Sequence, residues 1–209
     1  MTRVLLVDDH EVVRKGLKEI LADSVRGAVF GDACSGEEAL REAAADKWDI
    51  VILDISLHDK SGLEVLQELR RSQPRLPVLI LSMHPEEQFA VRAFRAGAAG
   101  YVTKRTAAKD LTAAVRKVLA GGKYVSASLA ERLAVELQAG SQAPHETLSD
   151  REYQVFRMLA MGKTVKQIGG ELSLSPQTVS THRAHILEKM TMTTNAELTQ
   201  YAIQSRLLE

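Results

Sequence analysis

Three short runs of apolar residues constrain the fold of this chain more than any other feature. They span residues 4–7, 50–53 and 78–81, and none of them contains a polar residue. Strands that are apolar at every position, rather than at every second one, are typical of a parallel sheet covered by helices on both faces. We expect these runs to form the strands 3–7, 50–53 and 78–82, and shorter patterns predict two further strands at 28–33 and 100–103.

Amphipathic stretches separate the strands and predict helices at 11–21, 36–45, 62–71, 86–96 and 108–120. Ser35, Ser61 and Thr106 stand at N-cap positions, where a side-chain oxygen can accept a bond from a free backbone N–H. Gly97 and Gly121 stand where helices should end. Five strand–helix units in this order predict an α/β fold, a doubly wound five-stranded parallel sheet, over residues 1–125.

The rest of the chain has a different pattern. Residues 126–137 predict an extra helix, and the small polar residues 138–146 predict a linker, so we assign 126–147 to an extra helix and a flexible linker. Residues 148–209 show only helical signals, with predicted helices at 150–161, 165–172, 176–190 and 195–205. Two capping boxes begin at Ser149 and Thr194, and Ser175 is followed by a proline at the first helical position. This segment is predicted to be an all-α four-helix domain.

The net charge does not identify a binding partner, whereas the cysteine content indicates the redox state of the compartment. The chain has 27 Lys and Arg and 27 Asp and Glu, so a zero net charge does not by itself indicate a nucleic-acid binder. The single cysteine, Cys34, excludes an intrachain disulfide, suits a reducing compartment, and is expected to be buried. The N-terminus has no signal-peptide pattern, and no apolar run approaches the ~20 residues that a membrane span needs. We therefore expect a cytoplasmic protein with no membrane contact.

Charged and hydroxyl side chains follow four of the predicted strands. Asp8 and Asp9 follow the first strand and Asp54 the third, while Ser82 and Lys104 end the fourth and fifth. The carboxyl ends of parallel strands converge on one crevice, so these groups should meet there. Clustered carboxylates repel one another unless a cation neutralises them, and oxygen ligands favour Mg²⁺. A metal, a lysine and a nucleophilic carboxylate together suit phosphoryl transfer.

Residues 2–122 resemble the receiver (CheY-like) family of response regulators. The matching motifs are Leu-Val-Asp-Asp-His from residue 6, Ile-Leu-Asp from 52, Leu-Ser-Met-His from 81 and Gly-Ala-Ala-Gly-Tyr-Val-Thr-Lys from 97. The resemblance implies that Asp54 accepts a phosphoryl group from a sensor histidine kinase. It also implies that Asp9, Asp54 and the backbone carbonyl of Ser56 hold Mg²⁺, with Asp8 acting through water.

The same resemblance assigns a switch to three residues. Lys104 would pair with the phosphoryl group, Ser82 would move to hydrogen-bond it, and Tyr101 would change rotamer in response. The alternative for Tyr101 is an ordinary, partly buried strand tyrosine. Two motifs depart from the family: Leu57-His58 replaces the usual Met-Pro, and Arg105 replaces the proline after the switch lysine. We expect His58 to be a solvent-exposed loop residue.

The second domain contains a helix, a short turn and a second helix. Apolar residues at helical spacing should pack together: Ile168, Leu172, Leu174, Val179, Ile186 and Met190. The outward side of the second helix then carries Gln177, Ser180, Thr181, Arg183, Ala184 and His185. This arrangement suits a recognition helix in the major groove of double-stranded DNA, and the alternative is a helical bundle whose polar face only meets water.

Residues 148–208 look like the LuxR-type helix-turn-helix. The matching stretches are Leu-Ser-Asp-Arg-Glu from residue 148, Gly-Lys-Thr-Val-Lys-Gln-Ile from 162, and 174–190. A receiver joined to this domain resembles the NarL/FixJ subfamily. The resemblance aligns Ser180, Thr181 and Ala184 with base-facing positions, and Lys166, Thr178 and Arg183 with phosphate contacts. Residues 148–209 hold seven Lys and Arg and six Asp and Glu, so nonspecific DNA affinity should be modest.

The subfamily also implies a homodimer through the last helix. Leu198, Tyr201 and Ala202 form an apolar stripe there, and the alternative is that this stripe closes the domain's own core. Two other functions remain open. An Asp-nucleophile phosphohydrolase would need a second acid two residues after its nucleophile, where Ser56 stands, and a phosphorylation-regulated module without DNA binding would also fit the neutral charge.

Overall fold

The apolar runs form the central sheet of the first structural unit. In this computed structural model five parallel strands pair in the order β2-β1-β3-β4-β5: β1 (Arg3–Val7), β2 (Val29–Ala33), β3 (Ile50–Asp54), β4 (Val78–Ser82) and β5 (Gly100–Thr103). Every residue of β3 and β4 is buried, and β1 is buried beyond Arg3. The parallel pairing of all five strands confirms the predicted sheet, and the burial of β3 and β4 at every position agrees with a sheet flanked by helices.

The structure describes residues 1–22, 25, 27–84, 86–126, 129–131, 143–205, 207 and 208, and it leaves out the side chains of residues 87 and 88. Most of the predicted extra helix at 126–137 lies outside these residues. Of the predicted linker at 138–146, residues 138–142 also lie outside them.

Five helices connect and cover the strands: α1 (Glu11–Ala22), α2 (Gly36–Ala45), α3 (Gly62–Ser72), α4 (Glu86–Arg95) and α5 (Ala107–Leu119). Ser35 and Ser61 accept cap bonds from Glu38 and Leu63, as their positions predict. Thr106 is the exception, because its hydroxyl bonds to Thr103 and makes no cap bond.

A segment after α5 lies against α4 and β5. Tyr124 N–H donates to the carbonyl of Ala99 at 2.9 Å, and Tyr124 pairs with Gly100 as an isolated bridge. A Cβ on Gly100 would lie 3.0 Å from the Tyr124 Cβ, so the close pairing depends on glycine. Ser126 Oγ donates to Glu86 Oε2 at 2.6 Å. The segment that leads out of the first unit is thus tied to the beginning of α4 and to β5.

The chain divides into two structural units, Met1–Gln138 and Ala139–Glu209. The second consists of a 3-10 turn (Pro144–Thr147) and four helices: α6 (Asp150–Ala160), α7 (Val165–Leu172), α8 (Pro176–Lys189) and α9 (Asn195–Gln204). His145 Nδ1 lies 2.7 Å from Tyr201 Oη. The last residues of the predicted linker therefore belong to the helical unit rather than to a flexible connection.

Local capping signals explain where these helices begin. Both predicted capping boxes form, at Ser149–Glu152 and Thr194–Glu197. A third, which the sequence analysis missed, pairs Thr164 with Gln167 at the start of α7. Val179 and Ile186 of α8 are fully buried, as is Ile168 of α7, so the predicted apolar contact between these helices is confirmed.

Two other expectations have clear outcomes. Cys34 is exposed, so the prediction of a buried thiol is wrong; it lies just beyond β2, an edge strand with partly exposed residues. Within the described parts of the chain, no helix is both long and apolar enough to span a bilayer.

Candidate functional site

Three charged side chains converge at the carboxyl end of the sheet, as the sequence predicts. Lys104 Nζ lies 2.6 Å from Asp8 Oδ2 and 2.7 Å from Asp54 Oδ2. Asp8 and Asp54 are 1% and 2% exposed, so both carboxylates are almost completely withdrawn from water. Two buried acids and one lysine form a compact ionic centre at the ends of β1, β3 and β5.

Backbone contacts hold these side chains in place. The N–H of Asp8 donates to Ala33 at 3.1 Å, and the N–H of Lys104 donates to Ser82 at 2.8 Å, so each residue continues the pairing of the strand before it. A Cβ on Gly62 would lie 2.0 Å from the Asp54 carbonyl oxygen. The beginning of α3 therefore packs directly on the backbone of Asp54, which only glycine allows.

The centre carries more negative than positive charge. Burial raises the pKa of Asp54, against the lowering effect of the Lys104 ammonium. Burial opposes the charged form of Lys104, but the carboxylates of Asp54 and Asp8 outweigh it and raise the pKa of Lys104. Asp9 adds a third carboxylate, with an oxygen within 4.8 Å of a carboxylate oxygen of Asp8. One lysine does not balance three carboxylates, so the centre favours an added cation.

The donor atoms fit a hard divalent cation. Asp54 Oδ1 is buried and has no hydrogen-bond partner among the described residues. Asp8, Asp9 and His10 each offer a ligand atom, and these atoms lie within 4.8 Å of one another. Carboxylate oxygens are the ligands that Mg²⁺ prefers, and an unpartnered buried carboxylate oxygen costs free energy unless a cation or water meets it. The residues present therefore suit Mg²⁺.

Histidines surround the acids, which the sequence analysis recognised only in part. His10 Nδ1 lies 2.7 Å from Asp9 Oδ1, and His58 Nδ1 lies 3.9 Å from Asp9 Oδ2. The His58 side chain is 53% exposed, as predicted for a loop residue. Its neighbour Leu57 is 2% exposed, so this replacement of the family's usual methionine is an apolar anchor. The peptide bonds of the described residues, including Lys104–Arg105, are trans.

His84 connects the two predicted switch residues. Ser82 is fully buried, and its Oγ accepts a bond from His84 N–H at 3.1 Å. Tyr101 is 1% exposed, and its Oη donates to the His84 carbonyl at 3.0 Å. His84 Nε2 also lies 3.3 Å from Ser56 Oγ. A displacement of Ser82 can therefore reach both Tyr101 and Ser56 through this single residue.

The predicted DNA-contact residues of the helical unit are nearly all exposed. Arg183 is half-buried, and the others are exposed: Lys166, Gln177, Thr178, Ser180, Thr181, Ala184 and His185. Ser175 Oγ accepts from the N–H of Thr178 at 3.0 Å, which fixes the start of α8. Ser180 Oγ donates to Pro176 O at 2.9 Å and Thr181 Oγ1 to Gln177 O at 3.1 Å, so both hydroxyls bond back to their own helix.

A buried acid ties the end of α8 to α6. Glu152 Oε2 accepts from Lys189 Nζ at 2.7 Å and from Ser149 N–H at 2.7 Å. His185 Nδ1 lies 3.8 Å from the other carboxylate oxygen. Although burial opposes the carboxylate, the hydrogen bonds from Lys189 and Ser149 outweigh it and hold the pKa of Glu152 below its usual value. This single side chain both caps α6 and holds the last residue of α8.

The predicted dimerisation stripe faces inward. Leu198 and Ala202 are fully buried, and Tyr201 is half-buried and bonds His145. Helix α9 packs on α6, and these residues close the core of the helical unit between the two helices. The burial of Leu198 and Ala202 favours the alternative that this stripe closes the domain's own core. The outer surface of α9 instead presents Ala196, Gln200 and Ile203.

Comparison with known proteins agrees with the geometry of both units. The response regulator receiver domain model matches residues 4–116, and the model for bacterial regulatory proteins of the luxR family matches residues 146–202. The response regulator GacA of Pseudomonas aeruginosa is 38% identical over 211 residues, which cover 100% of this chain and 99% of that protein.

Two solved structures are similar in fold. A LuxR-family two-component response regulator from Aurantimonas is 35% identical, with a TM-score of 0.59 over 65% of this chain and 98% of that one. RcsB from Salmonella enterica serovar Typhimurium, bound to a promoter in the presence of the phosphomimetic BeF3⁻, has a TM-score of 0.60 over 96% of this chain and 98% of that one. At 22% identity, RcsB supports the fold only. The chain therefore belongs to the two-component response regulators that join a receiver domain to a LuxR-type helix-turn-helix, as does the NarL/FixJ subfamily.

Proposed function

We propose that this protein is a phosphorylation-dependent DNA-binding regulator in which Asp54 receives a phosphoryl group from a sensor histidine kinase. The receiver would occupy residues 1–125, the extra helix and linker 126–147, and the DNA-binding domain 148–209. One observation carries the assignment of the acceptor: Asp54 stands alone at the end of β3, almost fully buried, and its Oδ2 lies 2.7 Å from the Lys104 ammonium that also contacts Asp8. The other carboxylate oxygen of Asp54, Oδ1, would attack phosphorus.

Each charged residue has a distinct part in the transfer. Asp54 would attack phosphorus as the bond from phosphorus to the kinase histidine breaks, so the histidine imidazole leaves and an acyl phosphate forms. Lys104 would then pair with the phosphoryl oxygens, because its ammonium already contacts Asp54. Asp9, Asp54 and the Ser56 carbonyl would hold Mg²⁺, with Asp8 acting through water. Bound there, the metal would balance the charge that develops on the phosphoryl group.

Labelling with a small phosphodonor such as acetyl phosphate tests the acceptor. Asp54→Asn should abolish incorporation, Lys104→Ala should reduce it, and excess chelator should prevent it. Glu19→Gln, which alters an exposed acid on α1, is the matched control and should label normally. Undiminished label on Asp54→Asn would exclude this acceptor. Steady hydrolysis of phosphate esters would instead favour a phosphohydrolase.

The helical unit is the proposed DNA-binding element. Ser180, Thr181 and Ala184 would face bases, while Lys166, Thr178 and Arg183 would contact phosphates, with Gln177 and His185 at the margin. The exposure of nearly all these residues supports this assignment. Selection of binding sites from random duplexes, with and without a phosphodonor, tests it. Recovery of no preferred sequence under either condition would favour a regulated module that does not read DNA.

A second copy of the chain is the proposed partner for the outer surface of α9. Ile203 is 63% exposed there, beside Ala196 and Gln200. A homodimer through this surface would present two α8 helices to two half-sites of DNA. Ile203→Glu should give a folded protein that remains monomeric after phosphorylation. A dimer of unchanged stability in that variant would exclude this surface.

Two routes could couple phosphorylation to DNA binding. The resting receiver could cover α8, or phosphorylation could only promote dimerisation. The tie between residues 124–126 and the α4–β5 region supports a path from Ser82 and Tyr101 into the linker. Affinities of fragment 148–209 and of the unphosphorylated full chain for a single half-site distinguish the routes. Equal affinities would exclude covering, and weaker binding by the full chain would support it.

A further inference from the structure

Helix α8 contains two residues of permanent positive charge, Arg183 and Lys189, and they meet different partners. Lys189 Nζ lies 2.7 Å from the buried Glu152 carboxylate, so a negative charge already balances it. Arg183 Nε donates to Asn195 Oδ1 at 2.7 Å, which is a neutral acceptor. Among the described residues, no acid forms an ion pair with Arg183. Of the two cations, Arg183 is the one whose charge stays available.

The bond from Asn195 fixes the direction of this charge. An arginine guanidinium is a rigid plane with five N–H donors, and a bond at Nε leaves the four donors on the Nη atoms for another ligand. A side chain that is already oriented loses less conformational freedom when it binds. A neutral acceptor orients the plane without reducing its attraction for an anion.

Asn195 is not needed to begin the helix on which it lies. Thr194 is the N-cap of α9, and its Oγ1 accepts from Glu197 N–H at 3.2 Å. Glu197 in turn accepts from the N–H of Thr194 at 3.2 Å, which completes the capping box. The capping hydrogen bonds that begin α9 are therefore made by Thr194 and Glu197, without the Asn195 side chain. The side chain of Asn195 instead accepts a hydrogen bond from Arg183.

We infer that Asn195 is a positioning residue for DNA binding, which orients Arg183 toward a backbone phosphate without neutralising it. The inference rests on the proposed function, in which Arg183 contacts a phosphate. The start of α9 would then contribute to DNA binding, because its Asn195 orients a side chain of α8. A carboxylate at position 195 would hold the same guanidinium but would balance its charge.

The test is a double-mutant cycle on the full chain, with a mixed-sequence DNA duplex as the probe at several salt concentrations. Arg183→Ala should weaken binding about tenfold and lower the salt dependence by about one phosphate contact. Asn195→Ala should weaken binding about threefold with an unchanged salt dependence, because the charge remains. In the Arg183→Ala background, Asn195→Ala should have no further effect.

Asn195→Asp sharpens the test. It should weaken binding more than Asn195→Ala and should lower the salt dependence as Arg183→Ala does. Equal losses from Asn195→Ala in both backgrounds would overturn the positioning role and leave the proposed function intact. No loss from Arg183→Ala would exclude the phosphate contact itself, and the inference with it. Thermal unfolding of each variant shows whether any loss comes from destabilisation of the fold.

Discussion

The two regions place their predicted functional side chains in opposite environments. Asp8 and Asp54 of the receiver are 1% and 2% exposed, whereas the His185 side chain, on the proposed DNA-binding surface, is 55% exposed. Phosphoryl transfer benefits from a site with little water, where a lysine and a cation act strongly on the reacting oxygens. Recognition of DNA needs side chains that a large ligand can reach.

The difference extends to how each region is supported. In the receiver, the chain packs closely around the proposed acceptor itself, as the contact between Gly62 and the Asp54 backbone illustrates. In the helical unit, the buried carboxylate of Glu152 contacts Lys189 and Ser149. It is not among the residues proposed to contact DNA. Substitution of a packing residue such as Gly62 should therefore impair phosphoryl transfer directly. Substitution of Glu152 should change only the stability of the helical unit or the orientation of its helices.

The largest effect is expected from Gly62→Ala. The added Cβ would lie 2.0 Å from Asp54 O and 2.7 Å from Ile55 Cα, so α3 or the end of β3 must move. We expect a loss of about 3 kcal/mol or more in the free energy of unfolding, together with loss of phosphodonor labelling. Urea denaturation measures the first and labelling the second.

Gly16→Ala in α1 is the control, because a Cβ there meets nothing within 4 Å. It should stabilise the protein by about 0.5–1 kcal/mol and leave labelling unchanged. If Gly62→Ala labels at the normal rate, the acceptor does not depend on close packing, and the contrast between the two regions would be wrong.

Glu152→Gln should have an intermediate effect and should test the buried charge of the helical unit. Losing the ion pair with Lys189 should lower the free energy of unfolding by about 2 kcal/mol at neutral pH. The folded-state pKa of Glu152 is lowered, so its contribution is present above the unfolded pKa and is lost as pH falls through the folded pKa.

The difference between wild type and Glu152→Gln should therefore shrink in acid. Denaturation at a series of pH values measures it. Glu188→Gln, which alters an exposed acid on the same helix as Lys189, should change stability little at any pH. A Glu152→Gln deficit that stays constant into acid would show that the carboxylate charge is not what stabilises the unit.

The smallest effects on the free energy of unfolding are expected from alanine substitutions of two adjacent glycines in α7. A Cβ on Gly169 would lie 2.7 Å from Leu174 O, whereas one on Gly170 would meet nothing within 4 Å. Gly169→Ala should cost about 1–2 kcal/mol, and Gly170→Ala should add about 0.5–1 kcal/mol. Thermal denaturation of the matched pair measures both. Equal responses would contradict the close approach of α7 to the turn that follows it.

Much of the receiver site could be predicted because its information is local. Apolar runs specify buried parallel strands, and residues that follow such strands must lie at one edge of the sheet. The positions of Asp8, Asp54 and Lys104 follow from these two rules. The third capping box, at Thr164 and Gln167, was equally local, since a threonine followed three residues later by glutamine is its signature.

The sequence by itself determined the order of strands and helices, their caps, and the set of charged residues at the sheet's edge. Only the tertiary structure decided whether certain side chains are buried or exposed and which distant residues they contact. The stripe of Leu198 and Ala202 closes the helical unit's own core, Cys34 is exposed, and Arg183 meets Asn195. Periodicity shows that a helix has an apolar side, but which surface covers that side depends on partners distant in sequence, whose positions no local pattern encodes.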